Sequence, residues 1–293
     1  MPAPIAPGFN SIPKDHPLHG LTAPLIAAHN HVEERMHGTA FVIAPELAIT
    51  AKHVVIDYLD KIQNENIEQR MADGGHHTAK MTFFMFLLVP LIDGRRITLT
   101  VVNTYFPGSG DIALLRLSKP SEIEWTDLAP YPSLRLIPPE VRTVIEALGY
   151  PDGSAIRRLD GLVELHTWPR ISTGTVQEVH GQRRDSLLLK YPCFQVNARL
   201  DHGMSGGPIV DPEGRICGVV SKSYELLAGE EPIGYAASLW PMGVISIPDF
   251  PGLANDKLRF YDLLRSGRVQ SSDLHKVSGG FDQAGRFVLH ATP

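Results

Sequence analysis

Short apolar runs separated by turn residues fill most of the chain, and this pattern constrains the fold more than any other feature. Examples are GTAFVIAPELAIT (38–50), RRITLTVVNTYF (95–106) and DIALLRL (111–117), and many of the runs end at Gly, Asp or Pro. An Asp-Gly pair at 93–94, between two runs, is typical of a tight hairpin. Many strand-length runs with frequent turns predict an all-β barrel or sandwich.

Helical periodicity is confined to two segments. Residues 52–72 carry apolar side chains at spacings of three and four, which predicts a helix inserted after a strand. Residues 254–269 predict a second helix that begins at Asn255. Its apolar stripe consists of Leu258, Tyr261, Leu264 and Val269. A Pro-rich stretch at 128–141 divides the chain and could join two halves.

Composition and charge exclude several classes of protein. The net charge of −5 gives no basic surface for nucleic acid, so no nucleic-acid partner is expected. The longest apolar run, residues 81–92, is too short to cross a bilayer, so no membrane association is expected. Residues 1–20 are Pro-rich and lack the charged and apolar regions of a secretory signal. We expect them to form an arm that lies on the surface or is partly disordered.

The number of cysteines, two (Cys193 and Cys217), indicates the cellular compartment in which the protein is located. A secreted β-protein of this size often carries several disulfides, so two cysteines favour a reducing compartment, and we expect the protein to be cytoplasmic. The pair could be buried thiols that act as small hydrophobic side chains, or it could form a disulfide across neighbouring strands.

The segment LDHGMSGGPIVD (200–211) places Ser205 between glycines just before an apolar strand. A serine hydroxyl is a poor nucleophile unless a base removes its proton, a carboxylate orients that base, and donors stabilise the oxyanion. His53, in TAKHVV, follows the end of a predicted strand. Histidine suits the role of the base, because its ordinary pKa of about 6.5 is close to neutral pH. Asp111, in GDIALLRL, opens a very apolar strand, where an unpaired carboxylate would be costly to bury.

These three motifs, in the order His53, Asp111, Ser205, resemble those of the trypsin/chymotrypsin family of serine peptidases. The segment around Ser205 is most like that of bacterial trypsin-like members, including the HtrA type, and the resemblance covers about residues 24–247. It implies a chymotrypsin-like double six-stranded antiparallel β-barrel with a few peripheral helices and the active site between the barrels. With the helical segments, it predicts an arm (1–20), a first barrel (21–130), a second barrel (131–247) and a C-terminal extension with a helix (248–293).

The resemblance also implies the role of each matched residue. Ser205 would attack the scissile carbonyl, His53 would carry the proton, and Asp111 would orient the imidazole. The N–H groups of Gly203 and Ser205 would form the oxyanion hole. Ser221 would support the aspartate at the start of the strand on which substrate lies, and Lys222 and Ser223 would form one wall of the substrate pocket.

Arg199 and Leu200 would lie at the primary specificity pocket, where two interpretations are open. If the Arg199 side chain enters the pocket, it favours an acidic substrate residue before the scissile bond. If it turns outward, Leu200 lines a small apolar pocket.

Met204 replaces an aspartate that activated digestive members carry before the serine, so activation by a newly formed N-terminus is not expected.

The sequence therefore predicts a serine endopeptidase that acts on protein or peptide substrates and needs no cofactor. A catalytically silent peptide-binding scaffold and a latent protease activated by a regulatory protein are the alternatives, and segments 57–80 and 248–293 could bind such a partner. Residues 203–207 also fit the G-x-S-x-G pattern of esterases. In those enzymes, however, the catalytic residues occur in the chain order Ser, Asp, His, and the fold is built on an α/β sheet.

No metal site is predicted, because the spacing of the histidines fits no zinc-binding pattern. They are His16, His19, His29, His31, His37, His76 and His77.

Overall fold

A computed structural model describes most of the chain. The described residues are 8–29, 32–62, 68–72, 76–80, 84–91, 95–108, 110–128, 130–151, 153–157, 163–224, 231–248, 250 and 258–292. None of the described helices is long and apolar enough to cross a membrane.

Strands dominate the structure. In the first half they are β1 Asn10–Ser11, β2 Thr22–His29, β3 Val32–Ala44, β4 Leu47–Thr50, β5 Glu68–Ala72, β6 His76–Lys80, β7 Phe84–Pro90, β8 Arg96–Phe106 and β9 Ala113–Ser118. In the second half they are β10 Val144–Gly149, β11 Ser154–Arg157, β12 Val163–His166, β13 Arg170–His180, β14 Cys193–Val196, β15 Pro208–Val210, β16 Ile216–Ser223, β17 Gly234–Ser238, β18 Val277–Phe281 and β19 Phe287–Ala291. The α-helices are α1 Lys52–Ile62 and α2 Phe260–Arg265, and 3₁₀ helices cover Trp125–Asp127, Trp240–Val244 and Leu274–Lys276.

The strands form two closed antiparallel barrels of six strands each, which confirms the predicted fold. In the first sheet the order is β5-β6-β8-β7-β2-β3-β4-β9, and pairing of β8 with β9 closes a ring that leaves β5 and β6 at its side. In the second the order is β1-β13-β10-β15-β16-β17-β14, and pairing of β13 with β14 closes the ring. β11 with β12 and β18 with β19 form separate hairpins.

Alternation of side chains along the strands fills the barrels. In β8, Ile97, Leu99 and Val101 are buried while the residues between them are partly or fully exposed. This period of two is what a strand with one buried face requires. The turn predicted at 93–94 lies outside the described residues, but the strands on either side pair antiparallel, with Pro90 opposite Arg96.

The helix predicted over 52–72 is wrong at residues 68–72, whereas residues 52–62 form α1. Residues 68–72 form β5, which pairs with β6 (Glu68 opposite Lys80), and β6 continues onto β8. Extension of an existing sheet edge supplies hydrogen bonds that a weak helical preference does not outweigh.

The helix predicted over 254–269 is shorter than expected. It runs only from Phe260 to Arg265, and its predicted cap, Asn255, lies outside the described residues. Gly267 has φ +73°, a left-handed conformation that does not continue a helix. Leu258 and Val269 are buried outside it.

The N-terminal arm is packed rather than loose over its described part. Phe9, Ile12 and Leu18 are buried, and β1 adds to the edge of the second sheet, with Asn10 opposite Ile171. Phe9 belongs to the core of the second barrel and Ile12 to the larger core that contains the first.

The C-terminal extension holds the segment that joins the barrels. The carboxylate of Asp273 accepts hydrogen bonds from the backbone N–H groups of Leu136 (2.8 Å) and Ile137 (3.0 Å). Leu134 donates its N–H to the carbonyl of Gln270. The Pro-rich stretch between the barrels is therefore fixed by the extension.

We predict that Asp273→Ala lowers the free energy of unfolding by about 2 kcal/mol, because two backbone N–H groups lose their acceptor in a buried place. Urea unfolding measures this. Asp282→Ala is the matched control, since Asp282 also accepts two backbone N–H groups but in an exposed turn. A loss as large in the control as in Asp273→Ala would contradict the role given to the extension.

Candidate active site

Pairing of β4 with β9 brings His53 and Asp111 together. Thr50, at the end of β4, lies opposite Ala113, at the start of β9. His53 follows β4 by three residues and Asp111 precedes β9 by two, so both leave the barrel at the same edge. The local sequence supports this arrangement, because both strands are mostly apolar and buried where they pair, and register is strongly specified where a strand face is buried.

Two hydrogen bonds join His53 to Asp111. The imidazole Nδ1 lies 2.8 Å from Oδ2, and the backbone N–H of His53 donates to Oδ1 at 2.9 Å. An ionised carboxylate only accepts, so Nδ1 carries the proton in this pair and Nε2 of a neutral ring keeps its lone pair. That is the tautomer that a general base requires.

The second barrel supplies a further donor to the same carboxylate. Ser221, on β16, donates its hydroxyl to Oδ2 of Asp111 at 2.5 Å. The hydroxyl of Tyr191 lies 2.6 Å from Ser221 Oγ and must be the donor there, because the Ser221 proton is already directed at Asp111. Burial, together with the charge of Asp111, raises the pKa of Tyr191 well above its usual range. No sequence motif pointed to Tyr191, which meets Ser221 only through the tertiary fold.

The pKa of His53 is raised above its ordinary value. Burial lowers it, but the hydrogen bond and negative charge of Asp111 outweigh burial. The charge of Asp57 adds to the increase, and that of Lys222 opposes it.

The loop that carries Ser205 is held by both barrels. The carbonyl of Ser205 accepts the N–H of Thr39 from β3 at 2.9 Å, and Gly206 donates to the carbonyl of Val220 at 2.8 Å. Gly206 has φ +85°, and a Cβ there would lie 2.3 Å from the carbonyl oxygen of Thr39. A side chain at this position is excluded both by conformation and by space.

Two backbone N–H groups of this loop remain available. Gly203 has φ +93°, and its carbonyl is fixed by the hydroxyl of Thr39 at 2.7 Å. Among the described residues, neither the N–H of Gly203 nor that of Ser205 donates to another protein group. The Ser205 hydroxyl likewise has no hydrogen-bond partner in the described part of the chain.

A cavity of about 1230 Å³ brings the predicted residues together. Its walls include His53, Asp111, Ser205, Arg199, Leu200, Ser221, Lys222 and Ser223. Gly203 is the one predicted site residue that is not part of the cavity wall. No group of three or more His, Cys, Asp or Glu side chains that could hold a metal occurs among the described residues.

A profile of the trypsin-like peptidase domain matches residues 38–219, which include His53, Asp111 and Ser205. This match spans more than half of the chain. The chain belongs to the trypsin-like peptidase family.

Solved structures of the family are distant in sequence. The active form of the Rv3671c protease from M. tuberculosis is 17% identical with TM-score 0.47, and the match covers 81% of this chain and 88% of that one. An HtrA-type protease, AlgW, with a tripeptide is 18% identical (TM-score 0.44; 74% and 56% covered). The MamO protease domain from Magnetospirillum magneticum is 16% identical (TM-score 0.45; 75% and 93% covered). The match therefore covers little more than half of the AlgW chain. A search of curated proteins found no match to the present chain.

Arg199, in the wall of the cavity, forms an ion pair with Asp201. Its Nε lies 2.9 Å and 3.0 Å from the two carboxylate oxygens of Asp201, and a second guanidinium nitrogen contacts the same group. Leu200 is buried against β17, where a Cβ at Gly234 would lie 2.3 Å from Leu200 Cδ1. The leucine side chain therefore occupies the space that the glycine leaves.

We predict that the His53 pKa, followed by NMR of its ring, lies above 6.5 in the wild-type chain and falls in Asp111→Asn. The replacement removes the charge that favours imidazolium, and burial then favours the neutral ring. Asp57→Asn serves as the control and should lower the pKa less, because Asp57 acts on His53 through its charge and not through a hydrogen bond in the described structure. An unchanged His53 pKa in Asp111→Asn would contradict the assigned pairing.

Proposed function

We propose that the chain is a serine endopeptidase that works through Ser205, His53 and Asp111. The observation that carries this proposal is the pairing of His53 with a buried carboxylate in the same cavity as a serine whose loop holds two unengaged N–H groups. The membership of the trypsin-like peptidase family supports the same reaction class.

In the proposed mechanism, Ser205 Oγ attacks the carbonyl carbon of the scissile bond while Nε2 of His53 takes the hydroxyl proton. The carbonyl oxygen becomes an oxyanion and accepts hydrogen bonds from the N–H groups of Gly203 and Ser205. When the C–N bond breaks, His53 gives its proton to the leaving amine and an acyl-enzyme remains. Water, deprotonated by His53, then hydrolyses the ester and restores Ser205.

The end of β16 offers a place for an extended substrate. β15 pairs with β16 only between Ile216 and Val219, so residues 221–223 continue beyond the end of β15. One edge of this segment faces away from its partner β17, and an extended peptide can add to such an edge through main-chain hydrogen bonds. The substrate strand would lie along Ser221, Lys222 and Ser223. The proposed reaction needs no cofactor.

The closed Arg199–Asp201 ion pair favours the apolar alternative for the primary pocket. The Asp201 carboxylate neutralises the guanidinium, so Arg199 is a weak attractor for an acidic substrate residue. Leu200 then sets the depth of the pocket. We propose a preference for a small apolar residue before the scissile bond.

A cytoplasmic, reducing location is also part of the proposal. Cys193 and Cys217 are both buried and free of any disulfide, and burial raises the pKa of the Cys193 thiol to about 11. Thiols of this kind act as apolar packing groups.

Labelling by a fluorophosphonate probe, read by mass spectrometry, tests the mechanism. We expect one adduct on Ser205 in the wild-type chain and none in Ser205→Ala. Ser223→Ala is the matched control, because Ser223 lines the same cavity and its loss should leave labelling intact. Labelling that persists in Ser205→Ala would contradict the assigned nucleophile.

The same probe separates the alternatives. A wild-type chain that is labelled only after addition of a host lysate is a latent enzyme that needs a regulatory partner. A chain that is labelled in neither condition, yet binds peptides, is a catalytically silent scaffold.

A peptide library tests the specificity proposal. We expect substrates with Ala or Val before the scissile bond to exceed those with Glu, and Leu200→Ala to shift preference toward larger apolar residues by about 10-fold in kcat/KM. Leu188→Ala, a second cavity leucine, should leave this preference unchanged. A preference for Glu that disappears in Arg199→Met would instead support the acidic alternative.

A further inference from the structure

Phe9, in the N-terminal arm, is buried close to the loop that carries Ser205. It is 6% exposed and belongs to the same buried cluster as Leu200 and Met204, which lie on either side of Gly203. The pairing of β1 with β13, with Ser11 opposite Arg170, fixes the arm directly after Phe9. The ring is therefore held in place by its own backbone as well as by packing.

The ring of Phe9 faces the guanidinium of Arg199. The central carbon of the guanidinium lies 4.9 Å from the ring centroid, which is within the range of a cation–π interaction. A Cβ at Gly8 would lie 3.3 Å from Cδ of Arg199, so the aliphatic part of the arginine also packs on the arm. The arm thus limits the positions that Arg199 can adopt.

Arg199 in turn holds Asp201. The guanidinium donates through two nitrogens, Nε to Oδ1 at 2.9 Å and Nη2 to Oδ2 at 2.5 Å. Such a two-point contact fixes orientation as well as distance. The backbone carbonyl of Asp201 accepts the N–H of Met204 at 3.1 Å, and this hydrogen bond closes the turn that contains Gly203.

We propose that Phe9 is a positioning residue for the oxyanion-binding loop, acting through Arg199 and Asp201. This inference rests on the proposed function, because it assigns Phe9 to the same site. Donors aimed at an oxyanion work only when their direction is fixed before the reaction. The arm, Arg199 and Asp201 form a continuous brace from the edge of the second sheet to the turn that presents the Gly203 and Ser205 N–H groups.

Hydrogen exchange tests the brace without reference to activity. The N–H groups of Met204, Gly206 and Gly207 are hydrogen-bonded within the fold and report on opening of the loop. In Phe9→Ala we expect peptides that cover 200–207 to exchange about 10-fold faster than in the wild-type chain. Phe250→Ala is the matched control, because Phe250 is also buried (7% exposed) and faces an arginine, Arg268 at 6.0 Å, but belongs to the other buried cluster, so the exchange of 200–207 should not change.

Kinetics test the consequence for the reaction. We expect Phe9→Ala to lower kcat by about 10-fold while KM changes by less than about 2-fold, as for a loss of transition-state stabilisation. Phe9→Leu keeps an apolar side chain but loses the aromatic face and should show part of the loss. This variant also decides the matter if Phe9→Ala fails to fold.

Unchanged exchange of 200–207 in Phe9→Ala, or in Phe9→Leu where the alanine variant does not fold, would overturn the proposal. So would a kcat of Phe9→Leu equal to that of the wild-type chain. If the wild-type chain is not labelled by the fluorophosphonate, the proposed function fails on that result, and the exchange measurement still decides whether Phe9 braces the loop.

Discussion

The buried carboxylate of Asp111 connects the assembly of the two barrels to the candidate active site. It accepts two hydrogen bonds from His53 of the first barrel and one from Ser221 of the second. A carboxylate at 9% exposure is costly to bury unless such donors are present. The hydrogen bond from Ser221 forms only when the barrels are docked, and it helps to fix the carboxylate that orients the imidazole.

Thr39 performs a related function on the other side of the cleft. It lies on β3 of the first barrel, yet its N–H holds the Ser205 carbonyl and its hydroxyl holds the Gly203 carbonyl. The hydroxyl also accepts the N–H of Tyr150 from the second barrel. With both carbonyls held in this way, the N–H groups of Gly203 and Ser205 have no acceptor among the described residues. The loop that carries Ser205 belongs to the second barrel in sequence, but hydrogen bonds from Thr39 of the first barrel hold its conformation.

The pattern of apolar runs predicted an all-β barrel or sandwich, and the resemblance to the trypsin/chymotrypsin family implied the double barrel and the residues that the cavity brings together. His53, Asp111 and Ser205 stand in motifs whose local pattern of strand end, glycine and apolar run can be read directly. Tyr191, Thr39 and Phe9 could not be found in this way, because each acts through a partner that is distant in the chain. The interaction of Arg199 with Asp201 shows the same limit, since both orientations of the arginine were compatible with the sequence.

The errors in secondary structure also have a physical cause. Residues 68–72 have a helical spacing of apolar residues, but they form β5 because a sheet edge was available to pair with. Helix α2 ends earlier than its apolar stripe because Gly267 adopts a left-handed conformation. At 68–72 the tertiary context outweighed a local preference that was only moderate, whereas at 267 the glycine itself ends the helix.

A crystal structure of the chain inactivated by a peptide boronate or aldehyde would test the central claim most directly. The account predicts a covalent bond to Ser205 Oγ and an adduct oxygen within hydrogen-bonding distance of the Gly203 and Ser205 N–H groups. It also predicts that His53 Nδ1 remains hydrogen-bonded to Oδ2 of Asp111. An adduct on another residue, or an adduct oxygen that points away from both N–H groups, would contradict the account.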